Sequence, residues 1–449
     1  MTASSLASPP RTFDRAALRV VFLSSLGGAL EFYDFIVFGA FAAYISRAFF
    51  PANDPSVSLL STFAVFGVGY LARPIGGLLF GRRGDRVGRR DSFLLSLATM
   101  SGATLLMGLL PTYATAGVWA TAAFVLLRLV QGFCLGGELP GAITYAVEVV
   151  PPRHATLACG VVFGCVSSGV LLATGVSAGL HALLPPATMD VWGWRIAFLL
   201  GGLLGVVSWG LRRSLEESPA FLQMRARIAA ARAAGVTEKG PLGELFRNHL
   251  GRIFIGIGAT AVVAVFNGLL FAQMPAYLGR TLQYPPTAIA YAINIAVAAM
   301  SVSLVIGSWV GDMIPRRYVF RIGCILLALG ALPAYRAIID HTLPLSGLFL
   351  LVGLSACFTH GTFAAILADL FPTQVRFSGV AVTLNVGAVI FSGLMPLAAT
   401  WLIGATGRND APAFLVMAAA LLALVVGFWL KPLEGQIASD DIRSAAGTG

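Results

Sequence analysis

Apolar residues run through this chain in stretches of roughly 20 or more, each enough to cross hydrocarbon as a helix. Twelve such stretches stand at 20–46, 57–81, 91–111, 117–149, 155–184, 194–211, 251–278, 287–311, 318–339, 345–370, 377–405 and 411–430. The fourth exceeds thirty residues, so it tilts or extends beyond the membrane. Glycines and prolines inside several spans are compatible with membrane helices, where neighbouring groups re-satisfy the backbone. The pattern predicts an all-α polytopic membrane protein of twelve transmembrane helices with no separate soluble domain. A segment at 1–19 precedes two six-helix bundles at 20–211 and 251–431, a loop at 212–250 joins them, and a polar tail occupies 432–449.

Composition supports this reading. Hydrophobic residues make up 57% and charged residues 11%, with a mean hydropathy of +0.84; a soluble domain carries about 25% charge. The formal net charge of +10 reports topology rather than a nucleic-acid partner. With a cytoplasmic N-terminus, Arg11, Arg15, Arg19, Arg82, Arg83, Arg86, Arg89, Arg90, Arg153, the run from Arg212 to Arg252, Arg316, Arg317, Arg321, Arg376, Lys431 and Arg443 fall inside. Arg47, Arg195, Arg280, Arg336 and Arg408 fall outside, an asymmetry that fits the positive-inside rule with both termini cytoplasmic. Residues 1–19 lack the short apolar core and cleavage site of a signal peptide, so the first span is retained. Five cysteines sit in apolar segments without metal-ligand spacing and read as inert buried thiols.

Two acids interrupt the first span. Glu31 and Asp34 are three apart, so they share roughly one helix face. A carboxylate at that depth is costly against lipid and usually lines a polar path. Burial and mutual repulsion push such groups towards the working pH, as a proton carrier requires; Glu31, nearer mid-depth, is the better candidate. The alternative is structural, with Asp34 hydrogen-bonded to a neighbouring helix and Glu31 a permanent counter-ion to an arginine. Arg128 lies near the middle of span four and hardly ever deprotonates, so it pairs with an internal acid such as Glu31 or with an anionic substrate. Gln131 and Glu138 continue a polar stripe along span four; Glu138 is either a second protonatable group or an inter-helix hydrogen-bonding one. Arg73 in span two is either a substrate-anion contact or a gate-pairing, snorkelling residue. Asn267 and Gln273 in span seven, Thr359, His360 and Thr362 in span ten and Asn385 in span eleven are the neutral candidates of the second half, His360 being either titratable or a packing residue.

The halves repeat one another. Gly84-Asp85-Arg86-Val87-Gly88-Arg89-Arg90 follows span two, and Gly311-Asp312-Met313-Ile314-Pro315-Arg316-Arg317 follows span eight, with acid and arginine pair at the same spacing. Glu148 to Arg153 after span four has its counterpart in Asp369 to Arg376 after span ten. The arginines orient the chain, and an acid beside a helix end with paired arginines can also lock the halves together.

These residues carry a resemblance. Two six-helix halves, the Gly84 to Arg90 loop, and Arg128-Leu129-Val130-Gln131-Gly132 followed by Gly136-Gly137-Glu138 resemble the major facilitator superfamily. Leu30-Glu31-Phe32-Tyr33-Asp34-Phe35, the Arg73-Pro74-Ile75-Gly76-Gly77 run and the Arg128 to Glu138 run resemble its metabolite:proton symporters, and Ser46-Arg47-Ala48-Phe49-Phe50-Pro51 is most similar to the citrate branch. The resemblance implies two bundles rocking around a midplane site, with spans one, four, seven and ten lining most of the cavity. It also implies a gate at Asp85, Arg86, Arg89, Arg90, Asp312 and Arg316, and a structural or proton-coupling Arg128.

The expected function is proton-coupled symport of a small citrate-like organic acid across a bacterial inner membrane, by a monomer without cofactor. Glu31, Asp34 and Glu138 are the proton-coupling candidates; Arg128, Arg73, Gln131, Asn267, Gln273, His360 and Asn385 are the substrate-binding ones. A proton-driven exporter of amphipathic compounds is the alternative. A membrane enzyme is not expected, since the chain shows no nucleophile or metal cluster, and without a P-loop ATP drive is not expected either.

Overall fold

The computed structural model describes residues 15–51, 55–233 and 241–430. Most of the N-terminal segment, the middle of the central loop and the tail, with Arg11, Lys239, Lys431 and Arg443, lie outside the described residues.

Each expected span is met by a helix. The first half holds α1 (Arg15–Ala40), α2 (Pro55–Arg86), α3 (Arg89–Leu109), α4 (Val118–Val149), α5 (Ala155–Leu183) and α6 (Trp194–Arg212). The second holds α7 (Leu250–Asn267, widening into a π-helical turn Gly268–Gln273), α8 (Pro286–Met313), α9 (Arg316–Ile339) and α10 (Leu345–Asp369). It closes with α11 (Arg376–Ala388, with its own π-helical turn Val389–Gly393 and continuation Met395–Thr406) and α12 (Pro412–Gly427). Among the described residues ten helices are long and apolar enough to cross a membrane, while α12 is apolar but shorter. The remaining one, α2, runs for 32 residues and carries Arg73 inside its apolar length. Beyond Phe41, α1 continues as a short helix Ala42–Phe49, so the first apolar stretch is interrupted at Phe41.

Lipid tails supply no hydrophobic drive between helices, so close backbone approach through small residues has to hold the bundle. Helices α2 and α4 meet this way. A Cβ on Gly132 would overlap the carbonyl of Gly69, one on Gly76 the carbonyl of Phe133, and one on Gly136 the carbonyl of Arg73. The equivalent pair in the second half, α8 and α10, has the same device: Gly307 rests on the carbonyl of Cys357 and Gly353 on that of Ala296. Gly169 of α5 meets the carbonyl of Ala29 of α1 likewise. Large apolar side chains such as Leu71, Leu126, Phe254, Leu329 and Trp401 point outward, as a lipid-facing surface requires.

The halves meet along α5 with α8 and along α2 with α11, supplemented by α4 with α10 and α11. The ends of the bundle differ in chemistry. One carries Arg82, Arg83, Arg86, Arg89, Arg90, Arg316 and Arg376 and is called here the arginine end. At the other, Arg47 pairs with Asp190 within the first half, and Asp410 pairs with Arg408 at 2.8 Å and Arg336 at 3.5 Å within the second.

Overpacking a close-packed interface costs about 1–3 kcal/mol. Gly132→Ala is therefore expected to lower the thermal midpoint of the purified protein. Gly39→Ala, where nothing lies within 4 Å of the added methyl, leaves it unchanged; a scan of both variants in one detergent checks this.

Candidate functional site

Four charges of two signs meet inside the first half. From α1, Glu31 Oε1 lies 3.1 Å from Arg73 Nη2 of α2, and Asp34 Oδ2 lies 2.8 Å from Arg128 Nη1 of α4. The three-residue spacing on α1 puts the two acids a turn apart, each towards its own arginine. The glycine contact that seats Gly136 on the carbonyl of Arg73 brings α2 and α4 close enough to serve one helix. Arg128 thus pairs with Asp34 rather than with Glu31, correcting the partner expected from the sequence.

The two pairs differ in how fully the arginine is satisfied. The Arg128 guanidinium is closed in: its Nη1 also donates to Gln131 Oε1 at 2.8 Å, and Gln131 Nε2 donates to Thr104 Oγ1 at 2.6 Å, while Asp34 Oδ1 is buried without a partner among the described residues. The guanidinium lies 4.4 Å from the ring of Phe38. Beside Glu31 the arginine is open as well. Glu31 Oε2 and Arg73 Nε are buried and find no hydrogen-bond partner among the described residues. The Arg73 side chain keeps 12% of its surface accessible against 2% for Glu31, so the pair is approached from the arginine.

Aromatic rings border this open pair. The Arg73 guanidinium lies 4.4 Å from the ring of Tyr70, and Phe35 meets Tyr70 edge-on at 5.8 Å. Tyr70 in turn hydrogen-bonds Ser392, within the π-helical turn of α11. Ser392 packs on Gly268, the first residue of the π-helical turn of α7. Such turns shift backbone carbonyls out of the regular ladder and often occur at functional sites. Next to Gly268, Asn267 Oδ1 lies 3.3 Å from His360 Nε2, whose other ring nitrogen is 3.1 Å from Thr359 Oγ1. Gln273, also buried, leaves its Oε1 without a partner among the described residues. A chain of contacts therefore runs from Glu31 in one half to His360 in the other.

Two expected site residues stand elsewhere. Glu138 forms an ion pair with Arg212 at the end of α6 and accepts from Ser96 Oγ at 2.9 Å; Arg212 donates to the carbonyls of Leu23, at 2.8 Å, and Ser24. Both side chains are fully buried and saturated, which makes them a strut between α1, α4 and α6. Asn385 spends both protons of its amide on backbone, 2.8 Å from Gly136 O of α4 and 2.8 Å from Ala381 O of its own helix.

At the arginine end the two repeated loops grip opposite halves. Asp85 at the end of α2 accepts from the backbone N–H of Phe377 (3.2 Å) and Ser378 (2.9 Å), which open α11. Asp312 at the end of α8 accepts from those of Thr156 and Leu157, both at 2.9 Å, which open α5. Unpaired donors and the dipole make a helix N-terminus a ready seat for an anion. Arg89 pairs with Asp85 (3.0 Å) and Glu148 (3.2 Å), and Arg376 reaches Glu148 from α11 at 3.1 Å. In the second copy Arg316 pairs with Asp369 at 2.8 Å and touches the Pro152 carbonyl at 3.5 Å. Arg86 is exposed, and Arg90 stays within its half, donating to the Arg213 carbonyl at 2.7 Å.

Sequence reasoning assigned no role to Tyr70, Phe35, Ser392 or Glu148. An aromatic one turn before Arg73 was a usable signal for Tyr70, and the repeat itself for Glu148; Ser392 carries none. Nor did it foresee Glu217 and Ser218 after α6, where Glu217 accepts from the Arg89 N–H at 3.1 Å and Ser218 Oγ donates to Glu148 at 2.6 Å.

Removing one partner of a buried ion pair costs about 3–5 kcal/mol, whereas replacing both with apolar groups is often close to neutral. Glu138→Leu alone is therefore expected to destabilise the protein strongly, and Glu138→Leu with Arg212→Met to recover most of the loss. Thermal unfolding of the two variants checks the strut.

Known proteins place this architecture. A profile described as "Sugar (and other) transporter" matches residues 20–241, and one described as "Major Facilitator Superfamily" matches residues 256–444. A "Proline/betaine transporter" of Salmonella typhimurium is 33% identical over 439 residues, covering 95% of this chain and 87% of the relative. The "Glycine betaine/proline/ectoine/pipecolic acid transporter OusA" of Dickeya dadantii is 32% identical over 440 residues, with the same coverage of each, 95% and 87%. Among solved structures, a double-Trp mutant of XylE superposes with a TM-score of 0.75 at 18% identity, covering 93% of this chain and 96% of that one. The human organic anion transporter MFSD10 superposes with a TM-score of 0.65 at 15% identity, covering 93% and 100%. The expected nearness to the citrate branch gives way to relatives named for proline and betaine. By these matches and by its helices, the chain is a multi-pass transporter that belongs to the major facilitator superfamily.

Proposed function

We propose that this chain is a proton-coupled importer of small zwitterionic ammonium carboxylates of the proline and betaine kind. It works in a bacterial inner membrane by alternating access, with both termini in the cytoplasm. The observation that carries the substrate class is charge balance at the site. Glu31, Asp34, Arg73 and Arg128 sum to zero, and each arginine already has its acid. A zwitterion adds no net charge to a low-dielectric space, while a citrate-like tricarboxylate adds three negative charges, of which an Arg73 released by Glu31 meets one. The names of the relatives point the same way.

The open pair gives the coupling a physical basis. Arg73 Nε and the accessible edge of its guanidinium suit the carboxylate of the substrate, since a guanidinium holds carboxylates in a fork. The cationic end then faces Tyr70 and Phe35, whose ring faces attract ammonium groups by about 0.5–2 kcal/mol. A substrate carboxylate on Arg73 displaces Glu31, and a buried carboxylate without its counter-ion costs more than its protonation. Substrate entry therefore brings a proton to Glu31. Asp34, held by Arg128 within the Gln131 and Thr104 network, keeps the bundle aligned. Asn267, Gln273 and His360 supply the neutral wall of the second half.

The positive-inside rule puts the arginine end in the cytoplasm. Asp85, Arg89, Glu148 and Arg376, with Asp312 and Arg316, then hold the cytoplasmic side shut, which makes this an arrangement closed to the cytoplasm.

Proteoliposomes under an inward proton gradient test the reading. Uncoupler-sensitive uptake of labelled betaine or proline, and none of citrate, is expected; gradient-driven citrate uptake contradicts it. Glu31→Gln is expected to abolish gradient-driven accumulation while substrate exchange across the membrane persists. Loss of both, or of neither, takes the coupling proton away from Glu31.

A further inference from the structure

Pro140 lies inside α4 and has no backbone N–H, so the carbonyl four residues earlier, Gly136 O, lacks its helical donor. A buried carbonyl left unpaired is costly, and most find a partner elsewhere. Here the partner comes from the opposite half: Asn385 Nδ2 of α11 donates to Gly136 O at 2.8 Å. The other amide proton goes to Ala381 O, also at 2.8 Å, which fixes the rotamer that points at α4. Space for the amide is built in. Gly77 of α2 faces it so closely that a Cβ there would lie 2.5 Å from Asn385 Nδ2 and 3.0 Å from Gly136 O. The first half thus offers a slot made of Gly77, Gly136 and Pro140, and the second half fills it with one side chain that is 3% exposed.

From this geometry we infer that Asn385 is a conformational pin rather than a substrate ligand. Its amide satisfies the carbonyl that Pro140 strands, and it does so only while the halves are closed at the arginine end. When α11 leaves α2 and α4, water entering from that side takes over Gly136 O, and the contribution of the amide is lost. The pin acts one layer inside the ionic gate and carries no charge, so it biases the closed arrangement independently of pH and salt, unlike the Asp85 and Glu148 contacts. The inference rests on the alternating-access reading but not on any substrate.

Hydrogen exchange of the full chain in lipid nanodiscs reads the effect directly. The N–H groups of Phe377 and Ser378 are held by Asp85 only in the closed arrangement, so their exchange reports opening. Asn385→Leu and, as a smaller change, Asn385→Ser are each expected to accelerate exchange there about tenfold, the equivalent of one net hydrogen bond. Pro140→Ala returns a helical donor to Gly136 O, so in that background Asn385→Leu is expected to change exchange by less than about threefold. Unaltered exchange in both Asn385 variants, or equal acceleration with and without Pro140, overturns the pin. So does weaker betaine binding in Asn385→Leu at unchanged exchange, which assigns the residue to the substrate. Failure of proton-driven uptake in proteoliposomes, by contrast, refutes the transport reading and leaves this measurement standing.

Discussion

Charge inside a bilayer has to be partnered, and the architecture follows from how this chain meets that demand. Two carboxylates on one face of α1 call for two cations at the same depth, and α2 and α4 supply them as Arg73 and Arg128. For both arginines to reach one helix, α2 and α4 have to lie closer than ordinary side chains permit. Glycines 69, 76, 132 and 136 make that possible, and Gly136 rests on the carbonyl of Arg73 itself. The small-residue seam and the charge cluster are therefore one design: the first sets the backbone, the second the polarity. Glu138 and Arg212 extend the same logic one turn along α1, against Gly27, where saturation of every polar atom marks a strut.

Incomplete satisfaction of the arginine separates the two pairs. Both acids keep one oxygen without a partner among the described residues, but Arg128 is closed in by Asp34 and Gln131 whereas Arg73 keeps its Nε unpaired and part of its surface accessible. A site that binds and releases ligands cannot be saturated by its own protein, because any gain from the substrate would then be offset by the contacts it breaks. At the arginine end the contacts are again of a kind that can be exchanged for water. Carboxylates on helix N-termini and arginines shared between acids hold well when dry and cost little to hydrate. An alternating carrier needs both states within a few kcal/mol, and such contacts keep them close.

Much of this was legible in the sequence, for reasons that can be named. The spans are visible because hydrocarbon thickness imposes a length, and the positions of α4, α5, α8 and α10 agree with the apolar runs to within two residues at each end. The repeated loops are visible because acid and arginine pair keep one spacing, and both acids indeed cap a helix of the other half. The partners of the charges were not legible. Asp34 and Glu31 are both within reach of span four in one dimension, and only the rotation of α1 about its axis directs Asp34 to Arg128. The role of Asn385 was hidden for a similar reason: its acceptor depends on a proline in a helix of the other half. The substrate branch was misjudged because the stretch that suggested it, Ser46 to Pro51, ends the short helix Ala42–Phe49, where Arg47 pairs with Asp190 away from the charge cluster.

The central claim is that substrate and proton meet at the Glu31 and Arg73 pair. Calorimetric titration of the purified protein with betaine, near neutral pH and in buffers of different ionisation enthalpy, measures protons taken up per substrate bound. The account predicts close to one proton per betaine, reduced to none in Glu31→Gln while binding persists. Binding without proton uptake, or uptake that survives Glu31→Gln unchanged, contradicts it.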